Sequence, residues 1–74
     1  NVSNVTSMKG MFYSCLMFDQ KLNKWDTSKV YNMNEMFYSC KNFNQNINDW
    51  DVRNLTDMCD MFTFCENFRY TITL

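Results

Sequence analysis

The chain has no proline, no histidine and a single glycine, Gly10. Without histidine it lacks the side chain used most often as a general base near neutral pH and as a metal ligand. With one glycine and no proline, the usual punctuation of turns is missing. Asparagine fills many turn-like positions instead; it tolerates left-handed backbone and hydrogen-bonds its own main chain. There is no run of about 18 apolar residues, so nothing reads as a membrane-spanning helix. No signal-peptide or lipid-attachment pattern is present. Neither sign of charge dominates, with 7 basic residues against 8 acidic. No basic stripe exists to meet a phosphate backbone, and nucleic acid is not an expected partner.

What is present is apolar and periodic. Aromatic residues make up 18% of the chain and methionine occurs seven times, so there is material for a core and the chain is not a disordered tail. A compact domain of 74 residues buries only about 60% of the surface its unfolded chain exposes. Shifted by 25 residues, the sequence falls on itself without a gap. Trp25 meets Trp50, and Val5, Val30 and Leu55 form a column. Met8, Met33 and Met58 form another, as do Met11, Met36 and Met61. Phe12, Phe37 and Phe62 follow, then Cys15, Cys40 and Cys65, then Phe18, Phe43 and Phe68, and Leu22, Ile47 and Ile72 close the unit. Asn1, Asp26 and Asp51 stand beside the tryptophan position. Such columns mark stacked units, because no unit buries its apolar half alone. The expected segments are 1–25, 26–50 and 51–74. The chain begins and ends in mid-repeat, which reads as part of a longer protein.

Each unit divides in two. Leu22, Trp25, Thr27 and Val30, repeated as Ile47, Trp50, Val52 and Leu55, have the spacing of the strand segment of a leucine-rich repeat. Met33, Met36, Phe37 and Cys40 lie at i, i+3, i+4 and i+7, a helical stripe. Ser7, Asn32 and Asp57 precede the stripes as N-caps, and Asn32 with Glu35 resembles a capping box. The expectation is an α/β solenoid, leucine-rich-repeat-like, with three strand-turn-helix units, a short parallel sheet, and short helices near 8–14, 33–39 and 58–64. The tail from Phe68 to Leu74 departs from the pattern and reads as a strand-like cap or contact segment.

The stretch from Trp25-Asp26-Thr27-Ser28 through Met33, Met36-Phe37, Cys40 and Phe43 resembles the BspA-like surface-protein repeat, W-D-[VT]-S-x-V-x-x-M-x-x-M-F-x-x-C-x-x-F. The resemblance runs the length of the chain. It implies an atypical leucine-rich-repeat solenoid of the kind found in bacterial surface proteins and lipoproteins, protist surface proteins and large DNA viruses. The roles it implies are adhesion and partner binding.

The candidate sites are few. Cys15, Cys40 and Cys65 read as reduced core thiols. The chain has no Cys-x-x-Cys pair, so no metal site is expected. Cys59 shares its column with Lys9 and Asn34 and should be exposed, open to a disulfide with another part of a parent protein. The paired carboxylates of Asp26 and Asp51 invite a catalytic or calcium reading. No nucleophile or orienting group accompanies them, and the calcium-repeat pattern is absent. Asn1-Val2-Ser3, Asn4-Val5-Thr6 and Asn54-Leu55-Thr56 match the glycosylation acceptor pattern, as an asparagine-rich repeat does incidentally. No catalytic residue and no cofactor is expected.

A fixed core with a drifting surface is the signature of a recognition scaffold. Lys24 becomes Asp49, Ser28 becomes Arg53, and Lys29 becomes Asn54. The expected partner face is Lys24, Asp26, Ser28, Asp49, Asp51 and Arg53. The expected function is a non-enzymatic protein-interaction or adhesion module of a surface-exposed protein, on a cell surface or outside the cell. Its partners would be protein, either a host surface protein or neighbouring subunits. The alternative is a structural component of a virion or surface layer that uses its open ends for subunit contacts.

Overall fold

The computed structural model describes residues 2–72. Among them there is no helix and no extended strand; regular pairing is limited to two isolated parallel bridges, Ser7 with Asn32 and Asn32 with Asp57. The expected α/β solenoid with a sheet and helices near 8–14, 33–39 and 58–64 is therefore corrected. Those segments are runs of turns in a small body of 28 × 23 × 19 Å.

The turns follow one another. Met11 N–H donates to Met8 C=O, Tyr13 to Gly10 and Cys15 to Phe12 at 3.0–3.1 Å. The second copy repeats this with Met36 to Met33, Tyr38 to Glu35 and Cys40 to Phe37. Each is an i+3 to i bond, a β-turn rather than the i+4 to i bond of an α-helix. Left-handed residues interrupt any helix: Gly10, Glu35 and Asp60 have φ of 62°, 56° and 55°, and Ser14, Ser39 and Phe64 have φ of 57°, 59° and 64°. The expected capping box is absent. Asn32 Oδ1 accepts from Asn34 N–H at 2.8 Å, two residues on, and Glu35 is left-handed.

The amides between these turns reach into the next coil, while Tyr31 N–H reaches back to Thr6 C=O and Thr56 N–H to Tyr31 C=O. Taking the coils as residues 2–25, 26–50 and 51–72, Met8, Gly10, Phe12 and Ser14 N–H donate to the carbonyls of Asn32, Asn34, Met36 and Tyr38 at 2.7–2.9 Å. Met33, Glu35, Phe37 and Ser39 donate in the same way to Asp57, Cys59, Met61 and Thr63 at 2.8–3.0 Å. Amides thus alternate between a local turn and the neighbouring coil. A seven-residue helix is marginal alone, whereas this arrangement satisfies the backbone through stacking.

The core lies where the columns meet. Val30, Met33, Met36, Phe37, Cys40, Phe43 and Ile47 of the second coil are all fully buried. Phe12, Phe37 and Phe62 stack face to face at 5.5 Å per step, and Phe18, Phe43 and Phe68 at 5.7 and 5.9 Å. Leu22, Thr27, Val30 and Trp50 are buried and Trp25 is half-buried. Their inward set arises from turns at 22–25, 27–30 and 47–50, not from a strand. Trp50 Nε1–H donates to Leu22 C=O at 2.8 Å, and Thr27 Oγ1–H to Asp51 C=O at 3.0 Å. Residues 69–72 of the tail form no strand, while Asn1, Thr73 and Leu74 lie outside the described residues.

A candidate interaction face

Two of the proposed face's columns build the same local device. Asp26 Oδ1 accepts from Ser28 N–H at 3.0 Å and from Ser28 Oγ–H at 2.7 Å. One coil on, Asp51 Oδ1 accepts from Arg53 N–H at 3.1 Å and Nε–H at 3.0 Å, and Arg53 Nη2 pairs with Asp51 Oδ2 at 2.7 Å. These are Asx turns, in which a carboxylate replaces the backbone acceptor two residues back. The bonds from Ser28 hold the Asp26 carboxyl below its ordinary range, against a smaller upward push from the Asp51 charge. Arg53 does the same for Asp51, and the ion pair raises Arg53 in turn. Both carboxylates are structural corners of exposed turns.

Lys24 and Asp49 share a column and are both exposed, but they stand apart from those turns. Asp49 lines an open groove of about 250 Å³ with Lys21, Leu22, Asn23, Gln45, Asn46 and Tyr70. The sequence reading missed this groove. Its one visible signal is Tyr70, which breaks a column otherwise filled by Gln20 and Gln45. The groove's far wall needs the second and third coils stacked before it exists.

Asparagine and aspartate ladders hold the coils in register. Asn34 Oδ1 accepts from Cys59 N–H at 2.7 Å, Asp19 Oδ1 from Asn44 N–H at 2.9 Å, and Asn44 Oδ1 from Arg69 N–H at 2.9 Å. Asn4 and Asn54, in the acceptor patterns, are exposed; Asn54 Nδ2–H donates to Ser28 C=O at 2.7 Å. Among the described residues no buried side-chain nitrogen or oxygen lacks a hydrogen-bond partner, and no cluster of His, Cys, Asp or Glu could hold a metal ion. No helix among them is long and apolar enough to cross a membrane.

The four cysteines are free thiols. Cys40 is buried and its thiol donates to Phe12 C=O at 2.8 Å; Cys65, half-buried, donates to Phe37 C=O at 2.8 Å. Burial pushes Cys40 up to about 11 and raises Cys65 as well. Cys15 is exposed, correcting its expected place in the core: no described residue covers it as the neighbouring coils cover Cys40. Cys59 is exposed, as its polar column predicts, and the adjacent Asp60 charge raises its thiol above the ordinary value.

Repeated turns, stacked aromatic columns and Asx corners at a 25-residue offset define a protein built from one coil used again. The chain belongs to the family described as "Mycoplasma protein of unknown function, DUF285", which matches residues 1–74. No curated protein and no solved structure matches it.

Proposed function

We propose that this chain is a non-catalytic protein-interaction module of a surface-exposed protein, acting outside the cell or on its surface. The observation that carries this reading is the pair of Asx turns. One backbone device, set by Asp26 and Asp51, presents Ser28 in one coil and Arg53 in the next. A scaffold that fixes side-chain direction while changing side-chain identity lowers the ordering cost of recognition. Lys24 and Asp49, both exposed, reverse charge within a single column. The resemblance of the Trp25–Gln45 stretch to BspA-like repeats supports adhesion as the setting.

The partner is a folded protein presenting mixed charge. The test is capture of extracellular proteins on the immobilised chain, followed by titration of the captured partner against Asp49→Lys combined with Arg53→Glu. Loss of affinity by tenfold or more, with an unchanged circular dichroism spectrum, supports the reading. Unchanged affinity for the captured partner, with the fold intact, removes this face as the binding surface.

A further inference from the structure

The asparagine side chains are nearly all engaged by the fold. They close turns, as at Asn32 and Asn46, or link one coil to its neighbour, as at Asn34, Asn44 and Asn54. Among the described asparagines, Asn23 alone makes no side-chain hydrogen bond. Its column neighbour Asn48 shows the bond that is missing. Asn48 Nδ2–H donates to Thr71 C=O at 2.8 Å, 23 residues on. The equivalent acceptor for Asn23 is Asn46 C=O, and that bond is not formed. Both residues instead line the open groove of about 250 Å³. Lys21 and Asp49 line it with them, and neither makes an ion pair or a side-chain hydrogen bond among the described residues. A solvated lysine or aspartate is ordinary. Gathered with the one unengaged asparagine in a concave site, they form a set of convergent polar groups.

The hydrogen-bonding capacity of the groove is balanced. Gln45 Nε2 is committed to Asp19, which leaves Oε1 to accept. Asn46 Oδ1 accepts from Asn48 N–H, which leaves Nδ2 to donate. Asn23 offers both kinds of group, Lys21 donates and Asp49 accepts. The Tyr70 ring is 43% exposed, with Phe68 at 6.0 Å. Leu22, almost fully buried, ties the groove to the core, and its carbonyl is held by Trp50 Nε1–H. A phosphate would meet one lysine and be opposed by Asp49. An apolar ligand would find only Leu22 and Tyr70 to pack on. A hydroxyl both donates and accepts, so vicinal hydroxyls match this alternation of groups. The C–H face of a sugar ring suits the negative face of an aromatic ring. The volume is below the roughly 300–1,000 Å³ typical of drug-sized ligands and suits one such ring.

We propose that this groove binds a neutral pyranose saccharide, with Tyr70 against one face of the sugar and Lys21, Asn23 and Asp49 on its hydroxyls. Gln45 and Asn46 complete the set from the second coil. Lys21 and Asn23 come from the first coil and Tyr70 from the third, so the bound sugar spans all three. The inference goes beyond the protein partner proposed above and does not rest on it. Asp49 alone is common to both, and the variants below leave it in place.

The test is an amide-shift titration of the isotope-labelled chain by nuclear magnetic resonance. The probes are methyl β-glucopyranoside, methyl β-galactopyranoside, methyl α-mannopyranoside and N-acetylglucosamine. An open site for one ring implies a dissociation constant of about 1–10 mM, so each probe is carried to about 50 mM. At least one of these sugars should shift the amides of residues 21–23, 45–49 and 70 saturably, while those of Ser28 and Arg53 stay in place. Asn23→Ala and Tyr70→Ala should each weaken that binding about fivefold with an otherwise unchanged spectrum. Arg53→Glu, which disrupts the proposed protein face, should leave it unaltered, so the two readings fail separately. Glycine and inorganic phosphate at the same concentrations should shift none of the groove amides. The absence of a saturable groove shift with every one of these sugars overturns the proposal. So does full-strength sugar binding by folded Asn23→Ala and Tyr70→Ala, or tighter binding of glycine or phosphate than of any sugar.

Discussion

Phe37 is the ring on which the stacked-column account can be tested most directly. It lies fully buried between Phe12 and Phe62 at 5.5 Å on either side and against Phe43 at 4.2 Å. Replacing it with leucine keeps most of the volume, so the shape change alone should cost less than about 1.5 kcal/mol. The lost ring pairs add about 0.5–1.5 kcal/mol each, not fully additively. The sum is about 2–4 kcal/mol. A chain of 74 residues holds roughly 4–11 kcal/mol in total, so Phe37→Leu should fold but melt roughly 10–25 °C lower. Phe12 occupies the same column one coil away, is half-buried, and meets the next coil on one side only. Phe12→Leu should cost about half as much. Urea and thermal melts followed by circular dichroism give both numbers. If Phe12→Leu costs as much as Phe37→Leu, burial between two coils is not what stabilises the column.

Gly10→Ala should cost about 1 kcal/mol in urea melts, from the left-handed backbone alone; φ is 62°, and the nearest atom to an added Cβ is Tyr13 Cβ at 3.9 Å, an ordinary contact. Trp50→Phe removes the donor to Leu22 C=O inside the core and should destabilise by about 1–3 kcal/mol, read from the same melts. In native labelling with a thiol reagent, Cys15 and Cys59 should react while Cys40 waits for unfolding. Because the Cys40 thiol lies at about 11 when folded against 9.0 ordinarily, its contribution is complete below pH 9 and is lost as pH rises towards 11. Melting at stepped alkaline pH should show that decline, and Cys40→Ala should lessen it, the half-buried Cys65 thiol keeping a part of it.

The 25-residue register and the identity of the core columns were legible in the sequence, because stacking returns the same side chain to the same place each coil. The backbone between them was not. Met33, Met36, Phe37 and Cys40 satisfy a helical stripe, yet the same spacing marks the corners of turns at 33–36 and 37–40. An i, i+3 pair is brought together by either device, so apolar spacing alone does not separate them. Gly10 held the discriminating signal: a glycine aligned with Glu35 and Asp60 marks a left-handed position in mid-segment, where a helix would have none. At the candidate face, the Asp26–Ser28 and Asp51–Arg53 turns follow from short-range asparagine and aspartate chemistry. The groove beside Tyr70 joins residues from all three coils, and no local rule reaches that far.

The hydrogen-bond ladder between coils also quantises how such a molecule can change in length. Removing one residue from a coil would move every later amide off its acceptor and rotate each inward side chain out of its column. Removing or duplicating a whole coil would leave every surviving bond with an equivalent partner. Growth and loss by complete turns of chain is thus the one route that leaves the interior unaltered, and it makes gene duplication within the repeat nearly free of structural cost.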